Sequence, residues 1–132
     1  MGAVEHRIRA DPALFDVKEI AYDPWNATHI ALRLQDEGAR MVEFRQGFRS
    51  MAAPTRELEK LVVSRKLAHG ANPVTRWMAA NVAVAQDPAG SHKPAKDKST
   101  DRIDGIVAII MAIGRAMVVQ EEPEPSYQMV IL

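Results

Sequence analysis

Apolar residues along this chain change their spacing several times, and each change predicts an element. Val17 to Tyr22 reads as a strand. Pro24 follows in the favoured first helical position, and Ala27, Ile30, Ala31 and Leu34 recur at helical spacing until Gly38 stops the helix. Arg40 to Phe44 is the next strand, which predicts a strand, helix, strand unit with parallel strands and a right-handed crossover. Gln46 to Ala53 reads as irregular. Pro54 to Leu67 returns to helical spacing, with Leu58, Leu61, Val62 and Arg65 on one stripe and Gly70 beyond its end. Asn72-Pro73 opens another helix carrying Trp77 and Met78. Asn81 to Gln86 and Ser91 to Ala95 form a predicted hairpin across the turn Asp87-Pro-Ala-Gly90. The last helix is expected from about Asp101 to Gln120, and Glu121-Glu-Pro-Glu-Pro125 ends it. Residues 1 to 16 show no period beyond an Asp11-Pro12 turn, and Ser126 to Leu132 reads either as disordered or as a docking strand.

The chain has 132 residues and 47% hydrophobic content, which suits one domain with a real but modest core. It has no cysteine, so disulfides and thiolate sites are excluded and an intracellular setting is the default expectation. The longest apolar run, Gly105 to Gly114, is too short to span a bilayer, and the N-terminus lacks the basic-then-apolar pattern of a secretory signal. Net charge is zero but segregated. Residues 1 to 37 carry four basic and seven acidic side chains, and residues 40 to 70 carry seven basic and three acidic. Lys93, Lys96, Lys98 and Arg102 add a further basic group, while Glu121, Glu122 and Glu124 make the tail acidic. Such a basic strip beside carboxylates suits a polyanion, whose phosphates it would hold. An ordinary solvated surface has the same composition.

The candidate chemistry lies in Lys98 to Arg115, where Asp104 occupies the first turn of an otherwise almost wholly apolar helix. Helix N–H groups and the dipole would steady that carboxylate, which could hold a divalent cation if a second acid joined it. Ile103 and Ile106 to Ile110 predict a helix buried nearly all round, so Asp104 needs donors, a cation or a metal as compensation. Asp23, between a strand and a proline-initiated helix, is the candidate second acid; the same position suits a plain helix cap. Asp101 is the better cap for the last helix. His6, His29, His69 and His92 have no zinc-like spacing, no phosphate-binding Gly-x-x-x-x-Gly-Lys-Ser/Thr loop occurs, and no serine sits on a nucleophile elbow. Trp25 and Trp77 read as core or helix-packing residues.

Lys18-Glu-Ile-Ala-Tyr-Asp-Pro-Trp25, Phe44-Arg-Gln-Gly-Phe48, Ser50 to Leu61 and Lys98 to Met117 together resemble the C-terminal nuclease part of tailed-phage large terminase subunits. The resemblance covers residues 17 to about 120, leaving an irregular segment 1–16 and an acidic, proline-containing tail 121–132. It implies an α/β, ribonuclease H-like fold, a mixed sheet flanked by helices, incomplete here because the family's first sheet strands and first catalytic aspartate have no counterpart. Asp11 and Asp16 follow no long apolar strand and do not replace that residue. The family's ATPase region also has no counterpart, which suggests an N-terminally truncated or prophage-derived reading frame. By motif position the resemblance makes Asp23 and Asp104 catalytic ligands of a two-metal Mg²⁺ or Mn²⁺ site, and places Arg45, Arg49, Lys93, Lys96, Lys98 and Arg102 near DNA. It further implies double-stranded DNA as substrate, cut from viral concatemers in the bacterial cytoplasm. The small terminase subunit and the portal are the implied partners, with no membrane. An uncovered edge on the Val17–Tyr22 strand would invite self-association.

Two other readings stay open on sequence alone: a catalytically inactive remnant that binds DNA or protein, and an unrelated α/β interaction module in which both aspartates are only caps. Salt-dependent DNA binding without cleavage distinguishes the former. Tolerance of Asp→Asn at both positions distinguishes the latter.

Overall fold

The computed structural model describes residues 2–121, which divide between Ser50 and Met51 into two compact units. The first unit opens with α1 (Ala3–Ala10) and a 3-10 turn at Asp11–Ala13, where the sequence predicts no helix. Periodicity misses α1 because charge pairs, not an apolar stripe, hold it. The buried carboxylate of Glu5 accepts from the Arg33 guanidinium, and Arg9 donates two hydrogen bonds to Glu37, at 2.7 and 2.5 Å.

β1 (Ile20–Tyr22) runs parallel to β2 (Met41–Glu43), with Ile20 opposite Met41 and Tyr22 opposite Glu43. Between them lies α2 (Pro24–Asp36), which buries Ala31 and Leu34 from the predicted stripe. Gly38, at φ +94°, adopts the left-handed conformation that lets the chain leave the helix for β2. Both strands are shorter than predicted. Their ladder opens where Ile20 N–H donates to Arg40 and closes where Phe44 N–H donates to Tyr22, each at 2.8 Å. Among the described residues no third strand joins this sheet.

α3 (Phe48–Val63) starts well before the predicted Pro54 and carries that proline inside it, so Gln46–Ala53 is only partly irregular. An internal proline forfeits a helical hydrogen bond. Here the burial of Met51 and Pro54 offsets that loss. In the second unit α4 (Pro73–Asn81) begins as predicted, its cap Asn72 accepting from the N–H groups of Val74 and Thr75 at 2.9 and 3.1 Å. β3 (Val84–Gln86) and β4 (His92–Pro94) form the predicted antiparallel hairpin, turned at Gly90 with φ +83°. α5 (Asp104–Glu121) follows. Met51, Ala95, Ile103, Ile106, Val107, Ile110 and Met111 make the core of this unit.

The α/β expectation is met, among the described residues, with a two-stranded parallel ladder and a two-stranded antiparallel one in place of the expected mixed sheet. The tryptophan expectation fails: Trp25 is 86% exposed and Trp77 45% exposed. At 100° per residue, Trp25 falls on the side of α2 opposite Ala27, Ala31 and Leu34. No helix among the described residues is long and apolar enough to cross a membrane. The acidic tail from Glu122 onward, with its proposed docking strand, lies outside the described residues.

Candidate carboxylate site

Asp23 follows β1 directly and is the N-cap of α2, with extended backbone at φ −82° and ψ 120°. Its Oδ1 accepts from Trp25 N–H at 3.1 Å, so the capping role is met. The cap engages one carboxylate oxygen. A carboxylate has two, so capping and cation ligation are compatible uses of this side chain.

Asp104 lies in the first turn of α5, where the sequence places it, but it is not buried: its side chain is 58% exposed. The reason is a stripe at four-residue spacing. Asp104, Ala108, Ala112 and Ala116 face solvent, while Ile103, Ile106, Val107, Ile110 and Met111 face the core. Alanine reads as apolar in the sequence yet loses little by exposure, so the helix is one-sided rather than buried all round. Asp101 is not its cap either. The Asp101 carboxylate accepts from Arg102 N–H at 2.7 Å, and Ile103 C=O takes the first helical bonds, from Ile106 and Val107. Gly105 keeps this turn close to α4, since a Cβ there would come within 2.8 Å of Met78 Sδ.

Lys96 meets Asp104, with Nζ 2.9 Å from Oδ1. That contact, and secondarily Arg102, holds the Asp104 carboxyl below the ordinary carboxylate range, so it is ionised at neutral pH. The connection carrying both residues is stapled. Ser99 Oγ donates to Ala95 C=O at 2.6 Å and accepts from Ala83 N–H at 3.0 Å. Asn81 accepts from Thr100 N–H through its backbone carbonyl and donates to Arg102 C=O through its side chain. Each member of the pair therefore follows a buried anchor, Lys96 after Ala95 and Asp104 after Ile103. Sequence reasoning classed Lys96 with the DNA-facing cations and missed this pairing. No local spacing signals a contact closed by a folded loop.

Of the other predicted cations, Lys98 and Arg102 are exposed in this same connection, and Lys93 is half-buried on β4. Arg45 and Arg49 are exposed in the first unit. Two cavities lie among the described residues, and neither carboxylate lines them. One, of about 420 Å³, opens at the starts of β1 and β2 among Ile8, Arg9, Glu19, Leu34, Glu37 and Arg40. The other, of about 430 Å³, is an apolar groove on the side of α5 carrying Ile106 and Ile109, away from Asp104. Asp104, ionised and accessible, suits a hard divalent cation, and so does the second oxygen of Asp23. Magnesium commonly takes only one or two carboxylates, completing its shell with water and phosphate. Among the described residues no three His, Cys, Asp or Glu side chains gather to hold a metal.

Residues 2–121 match the family described as "Terminase large subunit, endonuclease domain". The chain is 38% identical over 104 residues to the terminase large subunit of Enterobacteria phage HK97, covering 77% of this chain and 21% of that protein. It is 37% identical over 108 residues to protein YmfN of Escherichia coli (strain K12), covering 80% of this chain and 24% of YmfN. The crystal structure of the HK97 large terminase superposes with a TM-score of 0.77 at 35% identity, covering 85% of this chain and 24% of that one. This chain thus spans about a quarter of the length of these relatives or less.

Proposed function

The chain belongs to the terminase large-subunit endonuclease domain family, and on that footing we propose that it is a nuclease unit of ribonuclease H-like descent acting on double-stranded DNA. Asp23 and Asp104 are its cation ligands, for Mg²⁺ or Mn²⁺, and its work is the cutting of concatemeric viral DNA during packaging. The setting is the cytoplasm of a bacterial host, where the small terminase subunit and the portal are the partners of the packaging machine. Asp104 carries this reading: an ionised carboxylate kept open to solvent on the first turn of a helix whose other side is core.

A rigid, accessible oxygen suits a substrate that brings its own phosphate oxygens to the cation. Two such cations, held by these carboxylates, would help generate the attacking hydroxide and stabilise the departing 3′ oxygen. The chain's own side chains do the rest. Asp23 and Asp104 present oxygens from helix starts, and Lys98 and Arg102 lie exposed in the connection that leads to Asp104, to hold flanking phosphates. Supercoiled plasmid incubated with the chain and Mn²⁺ tests the reading: nicking is expected, and Asp104→Asn abolishes it. Nicking that survives Asp104→Asn unchanged removes the assignment.

The Lys96–Asp104 contact favours one second reading, a module that binds DNA without cutting it, since an ammonium already neutralises the acid. Its signature is salt-sensitive DNA binding with no nicking in Mn²⁺.

A further inference from the structure

We propose that Lys96 is the resident cation of Asp104: it occupies the carboxylate in the free chain, weakens divalent-cation binding there, and is released to a DNA phosphate when the carboxylate is taken. The inference rests on the reading of Asp104 as a cation ligand.

The geometry points to a built contact. Surface lysines ordinarily range over many rotamers, and a single exposed ion pair contributes little. Here both backbones are fixed before the side chains begin. Ala95 and Ile103 are buried at 5% and 2% exposure. The segment between them is tied to α4 and β3 by Ser99, Asn81 and Thr100. Lys98 and Ser99 N–H groups both donate to Ala95 C=O, which folds the chain back immediately after Lys96. Nζ reaches Oδ1 at 2.9 Å, inside hydrogen-bonding distance.

A divalent cation arriving at Asp104 must displace that ammonium or share the carboxylate with it. Both cost affinity: the first loses the ion pair, and the second places like charges side by side. Exposed pairs of this kind carry roughly 0.2–1 kcal/mol. Removing the ammonium is therefore expected to tighten cation binding by up to about fivefold. A displaced Lys96 stays anchored at Ala95, beside exposed Lys98 and Arg102, where phosphate supplies its new counter-charge. The carboxylate thus takes its cation more readily when DNA is present to receive the lysine.

The experiment is Mn²⁺ titration of the full chain by calorimetry, without DNA, for wild type, Lys96→Met, Lys96→Arg and Asp104→Asn. Lys96→Met is expected to bind up to about fivefold more tightly than wild type, Lys96→Arg to stay near wild type, and Asp104→Asn to lose the site. A second measurement, duplex DNA affinity in metal-free buffer, separates a held lysine from an ordinary surface charge. Asp104→Asn frees Lys96 and raises DNA affinity, and that gain disappears in the Asp104→Asn/Lys96→Met double variant. Equal Mn²⁺ affinity in wild type and Lys96→Met overturns the proposal while leaving Asp104 a ligand. Mn²⁺ binding unaffected by Asp104→Asn overturns the proposal together with the reading beneath it. A DNA-affinity gain that persists in the double variant shows simple loss of repulsion and also overturns it.

Discussion

Replacing Asp23 separates the cap it forms from the cation-ligand role proposed for it, because asparagine caps a helix nearly as well as aspartate whereas alanine does not. The bond at stake runs from Trp25 N–H to Asp23 Oδ1, at 3.1 Å, over a helix start where Pro24 has no N–H to satisfy. Losing such a cap costs about 1 kcal/mol, and a domain of this size loses roughly 4 °C of Tm for it. Asp23→Ala is therefore expected to melt about 4 °C lower. Asp23→Asn keeps the acceptor and gives up only the charge's interaction with the helix dipole, a change within about 0.5 kcal/mol. Cation binding inverts that order of mildness. A neutral amide withdraws one negative charge from the ligand set, worth roughly 1–4 kcal/mol at contact, so Mn²⁺ affinity falls about tenfold or more in both variants. Thermal melts followed by circular dichroism, beside calorimetric Mn²⁺ titration, give the two readouts. If Asp23→Asn melts like wild type and also binds Mn²⁺ like wild type, Asp23 is a cap alone. If it melts as low as Asp23→Ala, the capping argument itself is wrong.

Glu5 titrates low because Arg33 hydrogen-bonds its carboxylate, with Arg9 adding to the effect and burial opposing it. A lowered pKa means its contribution is present above the ordinary glutamate value of about 4.3 and is lost as pH falls through the folded value. Hydrogen exchange should show α1 protected at pH 7 and released only once pH falls below the ordinary glutamate range, with Glu5→Gln released already at pH 7; equal protection in that variant at pH 7 contradicts the charge-held helix. Ile110 is 1% exposed, so Ile110→Val should cost about 1 kcal/mol and Ile110→Ala about 2–5 kcal/mol in urea unfolding, and a cost below that of the valine variant would misplace the core. The β1–β2 ladder has two strands among the described residues, with Val17 and Trp25 exposed nearby, so the chain is expected to self-associate with rising concentration. A single monomeric species in sedimentation across the concentration range counts against edge pairing.

Where local chemistry decides an element, the sequence was legible. Asp23-Pro24 and Asn72-Pro73 each specify a cap and a first turn, and both helices start where those pairs place them. Asp87-Pro-Ala-Gly90 specifies a turn, and the hairpin closes around it. Where tertiary contact decides, the sequence misled. Nothing near Ala3–Ala10 announces a helix, since its partners Arg33 and Glu37 lie on α2 and at its end. Pro54 reads as a helix start by its own conformational rules, and only the burial of Met51 one turn earlier carries the helix back to Phe48. Asp23 and Asp104 were each legible as a helix-start acid, and the lysine that faces Asp104 was not.

The error about Asp104 bears on function as well as on fold. A carboxylate sealed inside a helix core would need its counter-charge built in permanently, and a phosphodiester could not reach it. The exposed stripe of Asp104, Ala108, Ala112 and Ala116 removes both difficulties. Three methyl-sized side chains leave the approach to the acid free of bulk, while Ile103, Ile106, Val107 and Ile110 on the other side keep the helix from moving when a ligand arrives. Rigidity comes from one face and access from the other, which a helix buried all round cannot combine. Substituting Ala108 by a bulky residue such as leucine, one turn along from the acid, should therefore leave the melting temperature nearly unchanged and impair the plasmid nicking proposed for this chain. A loss of stability equal to that of a core substitution would show that this face is packed after all.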